Sequence, residues 1–366
     1  MGTSPLYFDN NATAPLRAEA SAAMHKAMGA PANPSSVHSF GRSARLTVEA
    51  ARESVALLAG SRAADVVFTS GGTESNNLAL AGFDHVVMSA IEHDSVRASA
   101  LNASNINVTP DGIIDLDHAR DVLAGLPDEQ RPKTILSVMA ANNETGVIQP
   151  LAELAALAHE NNIAVHSDMV QLLGKDHFNF AALDLDYASL SAHKIGGPTG
   201  VGALLVKPGN ALTSLLRGGG QEQGRRSGTE NFIGIAGFGA AATAAFGDVA
   251  HYDAMSKWRN QFENVMRKTV SGAHVFGHQA LRLGNTSCLA IAGKSAETMV
   301  MALDIAGVAI SAGSACSSGK VKSSHVLAAM KAGDLAGQAV RISGGWQTKQ
   351  TDFERLADVF LELYKR

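Results

Sequence analysis

Short apolar runs alternate with amphipathic segments along most of this chain. Runs rich in Val, Ile, Leu and Met occupy Ala64–Ser70, His85–Ala90, Thr134–Ala141, Ile163–Asp168 and Gly202–Lys207. Each is short and lacks polar alternation, which predicts strands covered on both faces. The segment YASLSA (Tyr187–Ala192) is also strand-like. Between strands, Pro150–Asn162 has helical spacing, with Pro placed at the first turn. Strands alternating with helices predict an α/β fold with a mainly parallel sheet. The Ala/Gly-rich stretch Thr229–Ala250 predicts one long helix, and Asp253–Val270 a polar amphipathic one. Beyond them the pattern loosens. Strands are expected near His274–His278, Ser287–Ala292, Val308–Ser311 and Ala339–Ser343, with helices near Ala296–Ala306 and Asp352–Lys365. This predicts a large domain over residues 15–250, and a smaller α+β domain from 1–14 and 251–366.

Composition narrows the class. The chain has 366 residues, 46% hydrophobic and 17% charged, enough for a sizeable core. A net charge of −4 without a basic run argues against nucleic acid or an anionic membrane as a direct partner. No stretch of about 20 apolar residues is present to span a membrane. Two cysteines, Cys288 and Cys316, and a start unlike a signal peptide predict a reducing, cytoplasmic setting.

Three stretches carry chemistry. In FTSGGTESNNLAL (Phe68–Leu80) a strand ends in Ser-Gly-Gly-Thr and a helix follows at once. Bare glycines, helix N–H groups and the Thr73 hydroxyl make a phosphate cradle, although the same pattern serves ordinary turns. In AVHSDMVQ, Asp168 leaves the C-terminal end of a strand, where open parallel sheets bind ligands. There it can pair with a protonated ring nitrogen or act as a helix N-cap. Gln171 follows within reach of the same ligand. In SAHKIGGPTG, Lys194 sits at a strand end among small residues, a setting for a Schiff base with a carbonyl. Ser191 and His193 flank it as phosphate donors. Phosphate cradle, ring-nitrogen carboxylate and Schiff-base lysine are together what pyridoxal phosphate (PLP) requires. His93, after the strand HVVMSA, is then placed to stack on the ring.

With these residues in view, the chain resembles a cysteine desulfurase of the aminotransferase class V type. The likeness runs from YFDNNATAP through NPSSVHSFGR, FTSGGTESNN, ANNETGVIQP, SAHKIGGPTG and GGGQEQGRRSGTEN to SAGSACSSG and VRISGGW. It implies a fold-type-I PLP-dependent transferase. It implies that Lys194 carries the cofactor, that His93 stacks on its ring, that Asp168 holds the ring nitrogen and Gln171 the phenolic oxygen. Gly72, Thr73, Ser191 and His193 would hold the phosphate, and Thr229 would reach the phosphate of a neighbouring subunit in a homodimer. Asn143 and Arg341 would bind the substrate carboxylate, with Asn10, Asn33 and Arg226 nearby. No metal is implied.

Cys316 stands among Gly and Ser, the setting expected of a thiolate that accepts sulfur and hands it on. Cys288, in an apolar strand, reads as core. The implied reaction takes L-cysteine to L-alanine, with the sulfur held as a Cys316 persulfide and passed to an acceptor protein. That acceptor would be an iron–sulfur scaffold or a protein of thio-cofactor or tRNA thiolation. A selenocysteine lyase or an aminotransferase on the same scaffold, and a partner-binding remnant without activity, are the alternatives. Met169, Ala192 and Gly197 depart from the family pattern, where a small residue, Gly and an aromatic are usual.

Overall fold

The computed structural model describes residues 5–29, 31–313 and 323–365. The large sheet has seven strands. Across the sheet they run Val66–Thr69, Gly202–Val206, Tyr187–Ser191, Ala164–Asp168, Thr134–Ser137, His85–Ser89 and Ala103–Ile106. Only Gly202–Val206 is antiparallel to its neighbours. Alternate side chains enter two cores. Val66, Phe68, Val87, Leu136, Leu190 and Leu205 face one, packed by Val48, Val55, Leu154 and Phe238 from helices. Val67, Val86, Met88, Ile135 and Leu204 face the other, beside Leu78 of helix Gly72–Leu80. Burial on both faces is why these runs show no polar alternation. At roughly 25 cal/mol per Å2 of apolar surface, each fully buried Leu or Ile contributes about 2 kcal/mol.

A third core gathers Leu6 and Phe8 with Met255, Phe262, Leu289, Ile342, Phe353 and Phe360. It lies on an antiparallel sheet ordered Ser311–Ala312, Ala339–Ser343, Thr286–Ile291 and Ala273–Val275. Strand Leu6–Tyr7 pairs in parallel with Val308–Ala309 and ties the start of the chain to this region.

The long helix expected over Thr229–Ala250 is two. One spans Phe232–Ala245, capped by the Asn231 side chain, and the next spans Val249–Thr269, bent from it by 68°. Gly247 and Asp248 interrupt the run, and Arg17 pairs with Asp248 at the corner. Thr229 therefore precedes the helix. The sequence pattern also passed over helix Ser39–Leu58 and strand Ala103–Ile106. The strand's mixed composition, ASNI, hides it. Among the described residues, no single helix is long and apolar enough to cross a membrane.

Candidate active site

Many of the sequence-selected residues converge on one edge of the large sheet. Strand Val66–Thr69 ends there, and the chain turns through Gly71 (φ 153°, ψ −179°), a conformation open to glycine. Helix Gly72–Leu80 then starts with its free N–H groups toward a cavity of about 250 Å3. A side chain at position 72 would stand 2.9 Å from Val170 Cγ2, so the floor of the turn has room for backbone alone. The antiparallel strand passes close behind it. A Cβ on Gly202 would lie 2.7 Å from Gly71 Cα and 2.6 Å from the Leu190 carbonyl oxygen.

The cavity is lined by Gly72, Thr73, His93, Asn143, Asp168 and Gln171, together with Ser191, His193 and Lys194. Nine of the sequence-selected residues thus meet in one place. Asp168 Oδ1 accepts from the Val170 N–H at 3.0 Å, and Oδ2 accepts from Asn76 Nδ2 at 2.8 Å. Asn76 also donates to Ser95 Oγ at 2.8 Å. Ser95 contacts His93 Nδ1 at 2.7 Å through Oγ and donates its N–H at 3.1 Å. That N–H makes His93 Nδ1 an acceptor and leaves its proton on Nε2. Asn76 and Ser95 therefore join the carboxylate to the imidazole. Their signal in the sequence is slight: Asn76 lies three residues after Thr73, on the same helix face.

Lys194 ends a short 3-10 turn after strand Tyr187–Ser191. Its Nζ donates to the carbonyls of Asn11 (2.5 Å) and Ala12 (2.8 Å). Burial, with the Arg341 charge added, pulls its pKa down from 10.5 to about 8. A reactive free amine is thereby accessible near neutrality. His193 is lowered to about 4 by burial and by Lys194 and Lys175, so it is neutral at pH 7. It contacts Thr13 Oγ1 at 3.2 Å.

Other selected residues lie outside this cavity. Arg341 is buried in strand Ala339–Ser343, paired to Asp9 at 2.7 Å and donating to the Asn143 carbonyl at 3.3 Å. Its Nε is buried without a partner among the described residues. Asn10 spends its amide on the Ser343 carbonyl at 3.1 Å. Arg226 and Thr229 line a separate cavity of about 120 Å3, where Arg226 pairs with Glu74 at 2.9 Å. Glu74 in turn accepts from the Ser70 N–H at 2.7 Å, so Arg226 braces the glycine turn from behind. Asn33 is exposed and accepts from the Ser35 N–H. Cys316 lies outside the described residues. Cys288 is fully buried, and burial raises its thiol pKa.

The three departures have distinct places. Met169 is buried in the main core and does not line the cavity. Ala192 and Gly197 face each other: a Cβ at 197 would lie 2.9 Å from Ala192 Cβ and 3.0 Å from its carbonyl oxygen. The methyl of Ala192 takes the space that a side chain at 197 would need. Among the described residues no group of three or more His, Cys, Asp or Glu could hold a metal ion.

Comparison with known proteins identifies the family and the fold. Residues 6–356 match the model of the aminotransferase class-V family. A protein named cysteine desulfurase IscS from Dictyoglomus turgidum is 35% identical over 99% of this chain and 95% of its own. A cysteine desulfurase from Cereibacter sphaeroides is 38% identical over 97% and 94%. The chain belongs to the aminotransferase class-V family, among its cysteine desulfurases. The X-ray structure of a NifS-like protein from Rickettsia africae superposes with a TM-score of 0.91 at 33% identity, covering 98% of this chain and 99% of that one. A structure titled SspA in complex with cysteine matches with a TM-score of 0.78 at 29% identity, over 92% and 98%. The fold of this family member is thus the α/β architecture of the NifS-like proteins.

Proposed function

We propose that the protein is a PLP-dependent cysteine desulfurase that moves the sulfur of L-cysteine onto Cys316. The carrying observation is the convergence of Lys194, Asp168 and the Gly71–Gly72 turn on one cavity. The donor set fits the cofactor. A helix N-terminus, Thr73 and Ser191 supply phosphate donors, Asp168 supplies a carboxylate for a pyridine nitrogen, and Lys194 supplies an amine of lowered pKa. The buried Asn76 Oδ1 has no partner among the described residues and lies on the same wall. Bound there, PLP would supply an electron sink for charge developing at the substrate Cα.

The protein's own residues divide the rest. Lys194 Nζ would take up the proton leaving the substrate Cα. His93, with Nδ1 held by the Ser95 N–H, would lie against the ring and carry its proton on Nε2. Asn143 and Arg341 orient the substrate carboxylate, which holds the sulfur for in-line attack. Cys316 thiolate attacks that sulfur; the Cβ–S bond breaks as the S–S bond forms. L-cysteine plus the Cys316 thiol give L-alanine plus the Cys316 persulfide, so no outside oxidant is needed.

Residues 15–250 would form the cofactor domain, with 1–14 and 251–366 as the smaller domain carrying the Cys316 loop. Thr229, set apart from the Lys194 cavity, would serve the phosphate of a second copy in a homodimer. Asn10, Asn33 and Arg226 would border the substrate region once that copy is in place. An acceptor protein such as an iron–sulfur scaffold would take the persulfide in the cytoplasm.

The test uses purified protein loaded with PLP. It should show a visible lysine-linked band and release alanine and, with a reductant, sulfide from L-cysteine. Cys316→Ala should keep the band and lose almost all sulfide, and Lys194→Ala should lose the band. Normal turnover by Cys316→Ala would sink the persulfide step.

A further inference from the structure

A second lysine lies in the floor of the site. Lys175 is 2% exposed and belongs to no ion pair among the described residues. Its Nζ donates to Gln171 Oε1 at 2.9 Å and to Asn11 Oδ1 at 3.3 Å. Gln171 Nε2 donates to the Asn11 backbone carbonyl at 3.0 Å, the same oxygen that accepts from Lys194. Asn11 Oδ1 also accepts from Asn285 Nδ2 at 3.1 Å, and Asn11 Nδ2 donates to Thr286 Oγ1 at 2.9 Å. Asn11 is thus anchored to the four-stranded antiparallel sheet, and Lys175 ties it to the cavity wall.

A glutamine amide is symmetric in shape and opposite in chemistry at its two ends. Which end faces the cavity is decided by its partners. As an ammonium, Lys175 can only donate to Gln171, and the Asn11 carbonyl on the other side can only accept from Nε2. Oε1 is therefore held toward Lys175, and Nε2 remains the end available on the cavity side. We propose that Lys175 is a positioning residue that sets the orientation of the Gln171 amide, so that the cavity is offered an N–H donor rather than a carbonyl. This rests on the PLP reading, in which Gln171 meets the cofactor's phenolic oxygen. Burial, with Lys194 and Arg341 nearby, pulls the Lys175 ammonium well below the usual lysine range.

The experiment is a pH titration of the visible band of the PLP-loaded protein, in a double-mutant cycle. An N–H donor on the phenolic oxygen withdraws charge from the atom that shares the proton of the lysine linkage. Losing it keeps that proton bound to higher pH. Lys175→Met should raise the band's midpoint by about one pH unit, the size of one hydrogen bond to a charged group. Gln171→Leu should raise it similarly, and Lys175→Met should add nothing in the Gln171→Leu background. Lys175→Gln, which keeps an N–H donor, should hold the wild-type midpoint. Equal shifts in both backgrounds would show direct action on Lys194 and overturn the proposal, as would an unmoved midpoint in Lys175→Met. A full shift in Lys175→Gln would do the same, and it tests the idea even if Lys175→Met does not fold. Absence of the band in wild-type protein would defeat the PLP reading itself, and this inference with it.

Discussion

The titration of Lys194 in cofactor-free protein offers a quantitative check on the site. Its amine titrates near 8 instead of 10.5, because burial disfavours the ammonium and the Arg341 charge repels it. At pH 7 about one amine in eleven is then uncharged, against roughly one in 3000 for an ordinary lysine, an advantage of about 300-fold for imine formation. The perturbation is Arg341→Gln, which removes the largest charge opposing the ammonium and moves the midpoint up toward 10.5. The assay is the rate of PLP attachment from about pH 6 to pH 10, trapped with borohydride and located on the Lys194 peptide by mass spectrometry. Wild-type rates should rise tenfold per unit and level off near 8. A wild-type rate that climbs unbroken to about pH 10 would refute the desolvation argument. Stability carries the same signature. The folded pKa lies below the unfolded one, so the cofactor-free fold gains stability as pH rises from about 8 to 10.5. Below pH 8 the full cost, about 3 kcal/mol, is present. Lys194→Met should flatten that rise in urea denaturation.

Further expectations concern the supports of the site. Gly202→Ala forces a methyl against Gly71 Cα and the Leu190 carbonyl, both backbone atoms, and should distort the phosphate turn. An overpacking cost of about 1–3 kcal/mol predicts PLP affinity weakened by roughly 5- to 150-fold, read by absorbance titration. Arg52 holds the buried Glu222 with two bonds of 2.8 Å, and Glu222 also accepts from the Phe68 N–H. Arg52→Met should therefore cost about 3–5 kcal/mol in urea unfolding, by leaving that carboxylate unpaired. Cys288, buried and with its thiol pKa raised, should resist iodoacetamide in native protein and react only after denaturation, as mapped by peptide mass spectrometry.

Much of this protein is legible from its sequence because the information is local. Apolar runs of six to eight residues without alternation mark strands buried on both faces, and all five, with the strand-like Tyr187–Ala192, appear in the large sheet. Asp168, Lys194 and Gly72–Thr73 were readable because each follows such a strand, and parallel strands deliver their ends to one edge. The exception in direction, Gly202–Val206, leaves no local mark. It turns back on the preceding strand Tyr187–Ser191 and pairs on its other side with Val66–Thr69, far away in sequence, and that second pairing presses Gly202 against Gly71.

Only tertiary structure assigned the remaining parts. Asn76 is an ordinary helical asparagine until Asp168, 92 residues later, meets its amide. Lys175 looks like a surface lysine after Gly174. It acquires a role only when Asn11, 164 residues earlier, and Gln171 enclose it. Ala192 and Gly197 each look like a departure alone, and the structure shows one filling the space beside the other. Reacting groups and their strand-end positions are written in short segments. Their orientation, desolvation and mutual charge arise from contacts between segments far apart in the chain, and those exist only in the folded protein.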